Sequence, residues 1–497
     1  MTDWTFYGRD QELKDILRIL QRGRWFFCQI SGRRRIGKTT LIREALAHMP
    51  GRRRAFYVQI PDSDERGVVQ AFRDALEDHF PEELHFEEVR SFSDLADVVE
   101  KLCRDDDIVV LDEFQYFHRK ALSPFASFLQ ARVDRLRDSQ AGGLFVLGSI
   151  HTEMTALLED RASPLFNRIT DRIRLGHWDF RTLFEMWHEH GIDEPRHQLF
   201  LWTLFEGVPK FYRDSFDQAV LSEIDDYRTE TIRRLFFEGS SPLRDEADNW
   251  FLRELRGRYD SVLKILADKG PCDHGTLTAE YRDIGTGDAK QLGGYLQALI
   301  DRYETVERQL PVFAARNARR SRYAITDNFL SAWLSSLARN VARSRVQPVD
   351  ECVERAQAML LVHEGGTFEK MVRHLVEECS RRQVDFRVSD IVRGYWNKPD
   401  GSDVEIDLVA INDDERVVTF GSCKRSEERH GSQELEAFRE HVRRFQRTKE
   451  GQRISGYDLR YCLFSPRFST TRRESLTAGG YMCRDLSDYR EILLPAA

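Results

Sequence analysis

The sequence predicts a multidomain α/β chain whose N-terminal third is a parallel sheet wrapped in helices. From Phe6 to about Leu175, short apolar runs alternate with longer amphipathic stretches, the signature of an α/β layer. From about Phe180 to Leu255 the strand-like runs vanish and apolar residues recur at helical spacing, which predicts a helical subdomain. At 497 residues and 41% hydrophobic content, the chain is long enough for two to four domains with cores of their own.

Strands of the first domain are predicted at Trp25–Ile30, Ala55–Gln59, Ile108–Leu111, Leu144–Gly148 and Ile173–Leu175, with helices at Thr39–Ala47, Gly67–Asp78 and Ser93–Leu102 between them. Beyond Tyr259, helices at Ser261–Asp268 and Lys290–Ile300 precede a two-stranded ribbon, Thr305–Leu310 and Tyr323–Thr326. Helices followed by a hairpin with the basic stretch Ala315–Arg322 between its strands match a winged-helix outline. The last segment mixes helices with strands at Glu405–Ile411, Arg416–Phe420 and Leu459–Phe464, a further α/β domain. The divisions expected are 1–180 for the sheet domain, 181–255 for a helical lid, 256–345 for the winged helix and 346–497 for the terminal domain.

Charged residues make up 32% of the chain, and the net charge is -8, so bulk charge does not coat nucleic acid and any such contact must come from local patches. The start, MTDWTFYGRD, has neither a basic n-region nor an apolar h-region, which predicts no secretory leader. No apolar run approaches the ~20 residues of a membrane helix, so no membrane partner is expected. The 8 cysteines form no C-x-x-C pair and sit beside no spaced histidines, which argues against zinc and a disulfide framework. The expectation is a reduced, cytoplasmic protein.

The sharpest motif is Gly32-Arg33-Arg34-Arg35-Ile36-Gly37-Lys38-Thr39, which fits G-x-x-x-x-G-K-[ST] between an apolar strand and a helix. Glycines at both ends let the backbone curl until its N–H groups face phosphate oxygens, and the following helix turns its positive end to the same anion. Gly32, Arg35, Ile36, Gly37, Lys38, Thr39 and Thr40 are therefore candidate nucleotide-binding residues. Lys38 can reach the β- and γ-phosphates, and the Thr39 hydroxyl can ligate magnesium. ATP and Mg2+ are the cofactors this implies.

Roughly 70 residues on, IVVL makes a buried strand that ends in Asp112-Glu113. Asp112 would hold the magnesium and Glu113 would polarise the attacking water. Ser149, at the end of LFVLG, either senses the γ-phosphate or caps the next helix. Arg168 is read as an arginine finger or a structural cation. Arg316, Arg319, Arg320 and Arg322 crowd the hairpin and are candidate DNA contacts.

The segments FYGRDQELKDIL, GRRRIGKTTLI, VVLDEFQYF and LFVLGSI resemble the prokaryotic archaeal ATPase family, a branch of the STAND/AAA+ P-loop NTPases. The resemblance implies that Gly8 and Arg9 lie beside the nucleotide base. It also implies that Gly207-Val208-Pro209 is a lid turn that brings Pro209 to the nucleotide. Many such proteins carry a winged helix and then a domain similar to PD-(D/E)xK nucleases, a restriction-endonuclease-like fold. Here GYWNKPDGSDVEIDLVAINDDERVVTFGSCKR resembles that core, and Glu369, Asp407 and Lys424 match three positions of its site. The acid expected two residues before the lysine is Ser422, which removes one ligand for a second divalent metal, while Glu405 shares a face with Asp407 by strand alternation.

The function this implies is an ATP-binding and ATP-hydrolysing switch that controls a nucleic-acid-directed effector, with a role in defence as the resemblance's setting. Its nuclease-like domain would be divergent, either still cutting DNA with an altered metal shell or, as the favoured reading, inactive and used for binding or packing. The alternative is a signalling or assembly scaffold with little turnover and no nuclease activity. DNA, a partner protein and further copies of the chain stand as candidate partners beside ATP.

Overall fold

A computed structural model describes residues 3–49, 53–80, 89–139, 142–149, 151–244, 246, 255, 257–285, 289–399 and 401–495. The chain divides into two compact units, the first comprising Tyr7–Trp178 with Val208–Lys210.

In the first unit, β1 (Phe26–Gly32), β2 (Ala55–Gln59), β3 (Ile108–Asp112), β4 (Gly143–Gly148) and β5 (Asp171–Leu175) form one sheet in the order β2-β3-β4-β1-β5. Every pairing is parallel. Burial follows position: all residues of β3 and β4 are buried, whereas the edge strands β2 and β5 alternate. Central strands of a parallel sheet are covered on both faces and need continuous apolar runs, and edge strands do not. Helices α1 (Asp10–Leu20), α2 (Lys38–Ala47), α3 (Glu65–His79), α4 (Phe92–Arg104), α5 (Pro124–Leu136) and α6 (His151–Leu158) complete the unit. Asp64 caps α3, and Ser91 with Asp94 forms a reciprocal capping box on α4. The glycines that open β4 are required by close approach. A Cβ on Gly142 (φ +73) would lie 2.0 Å from the Cys103 carbonyl oxygen, and one on Gly143 would lie 2.1 Å from the Phe26 ring.

A cluster of aromatic rings fixes the segment after β3. Phe114 and Phe117 of the 3-10 turn Phe114–His118 are fully buried, and Phe117 stacks on Phe125 of α5 with centroids 4.2 Å apart. The turn therefore leaves the sheet in one direction only.

The second unit takes in Asp179–Gly207 and Phe211–Ala497 together with the first residues of the chain. Helices α7 (Phe180–Glu189), α8 (Pro195–Phe205), α9 (Pro209–Asp217) and α10 (Tyr227–Ile232) come first, the last running into a π turn, Arg233–Phe237. Next come α11 (Arg258–Lys269), β6 (Cys272–Asp273), α12 (His274–Asp283), α13 (Leu292–Asp301), β7 (Val306–Gln309) and β8 (Arg322–Ile325). The three strands form an antiparallel sheet ordered β6-β8-β7. Then follow α14 (Asn328–Ala332), α15 (Ala338–Arg343) and the 34-residue α16 (Val349–Arg382). Strands β9 (Arg393–Asn397), β10 (Val404–Asn412) and β11 (Val417–Cys423) lead through α17 (Ser432–Gln446) to β12 (Asp458–Phe464). The chain then passes α18 (Thr470–Ala478), β13 (Met482–Arg484) and α19 (Leu486–Leu493). This sheet is mixed, ordered β13-β12-β11-β10-β9, with β9, β10 and β11 antiparallel and β12 and β13 parallel to β11.

The five strands predicted for the first domain all form. The chain divides at Trp178/Asp179, and Val208–Lys210 groups with the sheet unit. Part of the expected join between 181–255 and 256–345, at residues 245, 247–254 and 256, lies outside the described residues. No helix of the described residues is long and apolar enough to cross a membrane. All eight cysteines are buried and free, as the spacing implied.

Ion pairs knit the second unit across its segments. Glu364 of α16, 1% exposed, lies 2.6 Å from Arg228 of α10 and 3.6 Å from Arg425 after β11. Glu378 of α16 accepts hydrogen bonds from the N–H groups of Phe180 and Arg181 at the start of α7. Removing one partner of a buried pair strands the other charge without solvent. Glu364→Leu is therefore expected to cost about 3–5 kcal/mol, read as a lowered urea midpoint of the full chain.

Candidate functional site

The site sits where β1, β3 and β4 end. Because β4 lies between β1 and β3, the loop after β1, the carboxylates after β3 and Ser149 after β4 converge at one edge of the sheet. The glycine-bounded loop bends as the motif requires: Gly37 has φ 88 and Arg35 has φ 69. Gly32 admits no side chain, since a Cβ there would lie 2.7 Å from the Leu175 carbonyl oxygen. Ile36 is buried under the loop, and Thr40 is exposed on the first turn of α2.

Lys38 is 7% exposed and donates to the carbonyl oxygens of Gly32 (3.0 Å) and Arg33 (2.9 Å). Burial lowers its pKa to about 8, against the opposing pull of Glu113 and Asp112. An ammonium held by two carbonyls in a nearly closed loop is suited to exchange them for phosphate oxygens. Thr39 Oγ1 donates to Asp112 Oδ2 at 2.7 Å. A hydroxyl and a carboxylate side by side form an all-oxygen set that fits a magnesium ion.

Two residues join this arrangement that the sequence reading did not single out. The Tyr57 hydroxyl on β2 donates to the same Asp112 oxygen at 2.8 Å, and burial together with Asp112 holds the phenol protonated well above its usual range. The signal available was a hydroxyl-bearing ring in an apolar strand, which needs a partner once buried. Gln115 donates to the Glu113 carboxylate, and its Oε1 accepts from the Ser149 N–H at 3.3 Å. Glu113 itself has φ 56, a left-handed backbone unusual for glutamate. Finally, Asp112 Oδ1 accepts from the Glu113 N–H at 2.8 Å, so Asp112 organises the residue after it.

Gly8 and Arg9 both have positive φ ahead of α1. The Arg9 guanidinium donates to the carbonyls of Ile36 (3.1 Å) and Gly176 (2.6 Å), which straps the phosphate loop to the segment after β5. Pro209 approaches the loop: a Cβ on Gly37 would lie 3.9 Å from its Cγ. Arg168 stands apart from this constellation in a bidentate pair with Asp134 of α5, both contacts 2.8 Å. Of its two sequence roles, the geometry carries the structural cation.

In the terminal sheet, Asp407 of β10 accepts from the Cys423 N–H at 2.8 Å and pairs with Lys424 at 3.4 Å. Burial first, then the Asp407 carboxylate, pushes Glu369 of α16 up to about 8, with Arg373 and Lys424 opposing. Burial works against the charge on Lys424, but Asp407 and Glu369 outweigh it and raise its pKa. The structure therefore gathers Glu369, Asp407 and Lys424. Glu405 is engaged differently, held 2.6 Å from Arg322, and Ser422 is buried in β11.

The hairpin arginines divide. Arg322 pairs with Glu405 and covers the Trp396 ring at 4.7 Å, Arg320 pairs with Glu450, and Trp396 Nε1 donates to the Arg320 carbonyl at 3.0 Å. Two of the four candidate DNA contacts are thus committed to the terminal segment, because the hairpin packs on it. Arg316 and Arg319 are exposed.

Residues 6–210 match the family described as ATPase domains predominantly from Archaea, and residues 333–436 match a family of archaeal and bacterial proteins of unknown function. An uncharacterized protein of Methanocaldococcus jannaschii is 25% identical over 420 residues, 84% of this chain and 87% of that one. The Walker-type ATPase of Pyrococcus abyssi is similar at 15% identity and TM-score 0.49, covering 66% of this chain and 96% of its own. The ORC2 protein of Aeropyrum pernix is similar at 14% identity and TM-score 0.47, covering 72% and 97%.

The lowered Lys38 pKa sets a pH dependence. Phosphate is held by the ammonium form, so affinity is full below about pH 8 and falls as pH rises through that value. ATP titrated without magnesium is expected to bind about tenfold more weakly at pH 9 than at pH 7. Equal affinity at both pH values would remove Lys38 from the phosphate contacts.

Proposed function

Over residues 6–210 the chain belongs to the family of ATPase domains found predominantly in Archaea, and from that premise we propose that it is an ATP-driven switch in which hydrolysis of ATP resets a second unit directed at nucleic acid. One observation carries the reading. The Thr39 hydroxyl and the Asp112 carboxylate meet at 2.7 Å across the mouth of the phosphate loop, where a magnesium ion and a triphosphate have the ligands they need.

When bound, a magnesium ion would be held by Thr39 and Asp112 and would offset the negative charge of the phosphates. The chain's own residues do the rest. Backbone N–H groups of the loop and the start of α2 hold the phosphates, and Lys38 exchanges its two carbonyl partners for the β- and γ-oxygens. Asp112 orients the ion from the tip of β3, held in turn by Tyr57. Glu113 accepts the proton of the attacking water. Ser149 lies on the intervening strand, placed to respond to the γ-phosphate. Pro209, beside the loop and at the start of α9, is the element through which nucleotide occupancy would reach the helices that follow.

For the terminal segment we favour a nuclease-like fold used for binding and not for cleavage. What supports this is charge. Asp407 and Glu405 are already paired with Lys424 and Arg322, and Ser422 offers no carboxylate to a metal. Contact with DNA would fall to Arg316 and Arg319.

Glu113→Gln is expected to lower ATP turnover by about 10²–10⁴-fold while ATP affinity stays near wild type. Tight ATP binding with negligible turnover in the wild type would favour the scaffold instead. Incubation with DNA and Mg2+ or Mn2+ is expected to give no metal-dependent cleavage that Asp407→Ala abolishes. Cleavage lost in that variant would restore the nuclease.

A further inference from the structure

The hydrogen bonds around Glu113 lead to a residue that no motif assigns. Gln115 is 1% exposed on the 3-10 turn after β3, between the fully buried Phe114 and Phe117 that hold the turn in place. Its Nε2 donates to the Glu113 carboxylate and lies 3.4 Å from Ser149 Oγ, while its Oε1 accepts from the Ser149 N–H at 3.3 Å. One amide group thus bridges the tips of β3 and β4.

Its orientation follows from chemistry. An ionised carboxylate only accepts, so the NH2 end must face Glu113; a backbone N–H only donates, so the carbonyl end must face Ser149. Turned over, the amide would break both contacts. Backing is equally restricted, since a Cβ on Gly148 would lie 3.0 Å from Gln115 Oε1 and 2.3 Å from Met154 Sδ. Glu113 meanwhile holds a backbone conformation that glutamate rarely adopts, and such conformations persist where surrounding contacts over-determine them. A core glutamine whose only task was to be satisfied would not need both ends on polar groups at the mouth of the phosphate loop.

We propose that Gln115 is a positioning residue for ATP hydrolysis: it orients the Glu113 carboxylate toward the attacking water and couples that orientation to Ser149 on the neighbouring strand. This rests on the ATPase reading of the same site. Gln115 bonds to Glu113 and Ser149 and to none of Lys38, Thr39 and Asp112, so its loss is expected to change the rate of the chemical step and leave nucleotide binding alone.

The test uses the full-length protein as wild type, Gln115→Met and Gln115→Asn, each measured for steady-state ATP hydrolysis with magnesium and for ATP affinity. Methionine keeps the length and removes both polar ends; asparagine keeps the amide and shortens its reach. The expected result is a kcat about 100-fold lower in Gln115→Met, the scale of a misplaced catalytic group, partly recovered in Gln115→Asn, with ATP affinity within about twofold of wild type throughout. If Gln115→Met does not fold, Gln115→Asn alone decides by the same split. A kcat at or above the wild-type value, or an affinity that falls in step with kcat, overturns the proposal. Failure of the underlying ATPase reading shows elsewhere, as a wild type that does not hydrolyse ATP.

Discussion

Oδ2 of Asp112 accepts from two hydroxyls at once, that of Thr39 at the start of α2 and that of Tyr57 on β2. Because Asp112 is the last residue of a fully buried strand, the backbone that carries this oxygen is fixed by the sheet. The phosphate loop is thereby tied to a rigid element, with β4 placed between the two strands that carry the chemistry. Glu113, Gln115 and Ser149 are arranged relative to that fixed point, through the Asp112 bond to the Glu113 N–H and the amide bridge beyond it. A site built this way does not assemble on ligand arrival. Its donors and acceptors are already occupied by one another, and nucleotide binding exchanges those partners.

The second unit applies the same economy of charge differently. Acids are met by cations from other segments: Glu364 by Arg228 and Arg425, Glu405 by Arg322, Asp407 by Lys424. Such pairs add little net stability over apolar packing, but breaking one is costly, which favours a single arrangement of the segments.

The strands of the first sheet and the phosphate loop were legible because both depend on local pattern. Apolar runs specify buried strands, and the spacing of Gly32, Gly37, Lys38 and Thr39 leaves one plausible geometry. The pairing of Glu369, Asp407 and Lys424 was also readable, through resemblance. What pattern could not supply were side-chain partnerships set by tertiary packing. Arg320 and Arg322 read as exposed hairpin charge until the hairpin is seen to pack on Trp396 and Glu405. Arg168 left two roles open in the sequence, and its pairing with Asp134 could not be read there. Tyr57 lies in no motif, and Gln115, though within VVLDEFQYF, was given no role there, because their roles depend on which strands become neighbours. The long α16 was similarly hidden: Gly365 and Gly366 suggest a break, yet the helix runs through them, anchored on either side by Leu360, Phe368 and Met371.

The account stands on a pocket in which loop N–H groups, the Lys38 ammonium and the Thr39–Asp112 pair converge on a triphosphate. The most direct test is ATP affinity of Lys38→Ala against wild type, measured with magnesium on protein of verified fold. Loss of most of the affinity is the result the geometry requires. Binding as tight as wild type would contradict it, and with it the placement of every residue arranged around that loop.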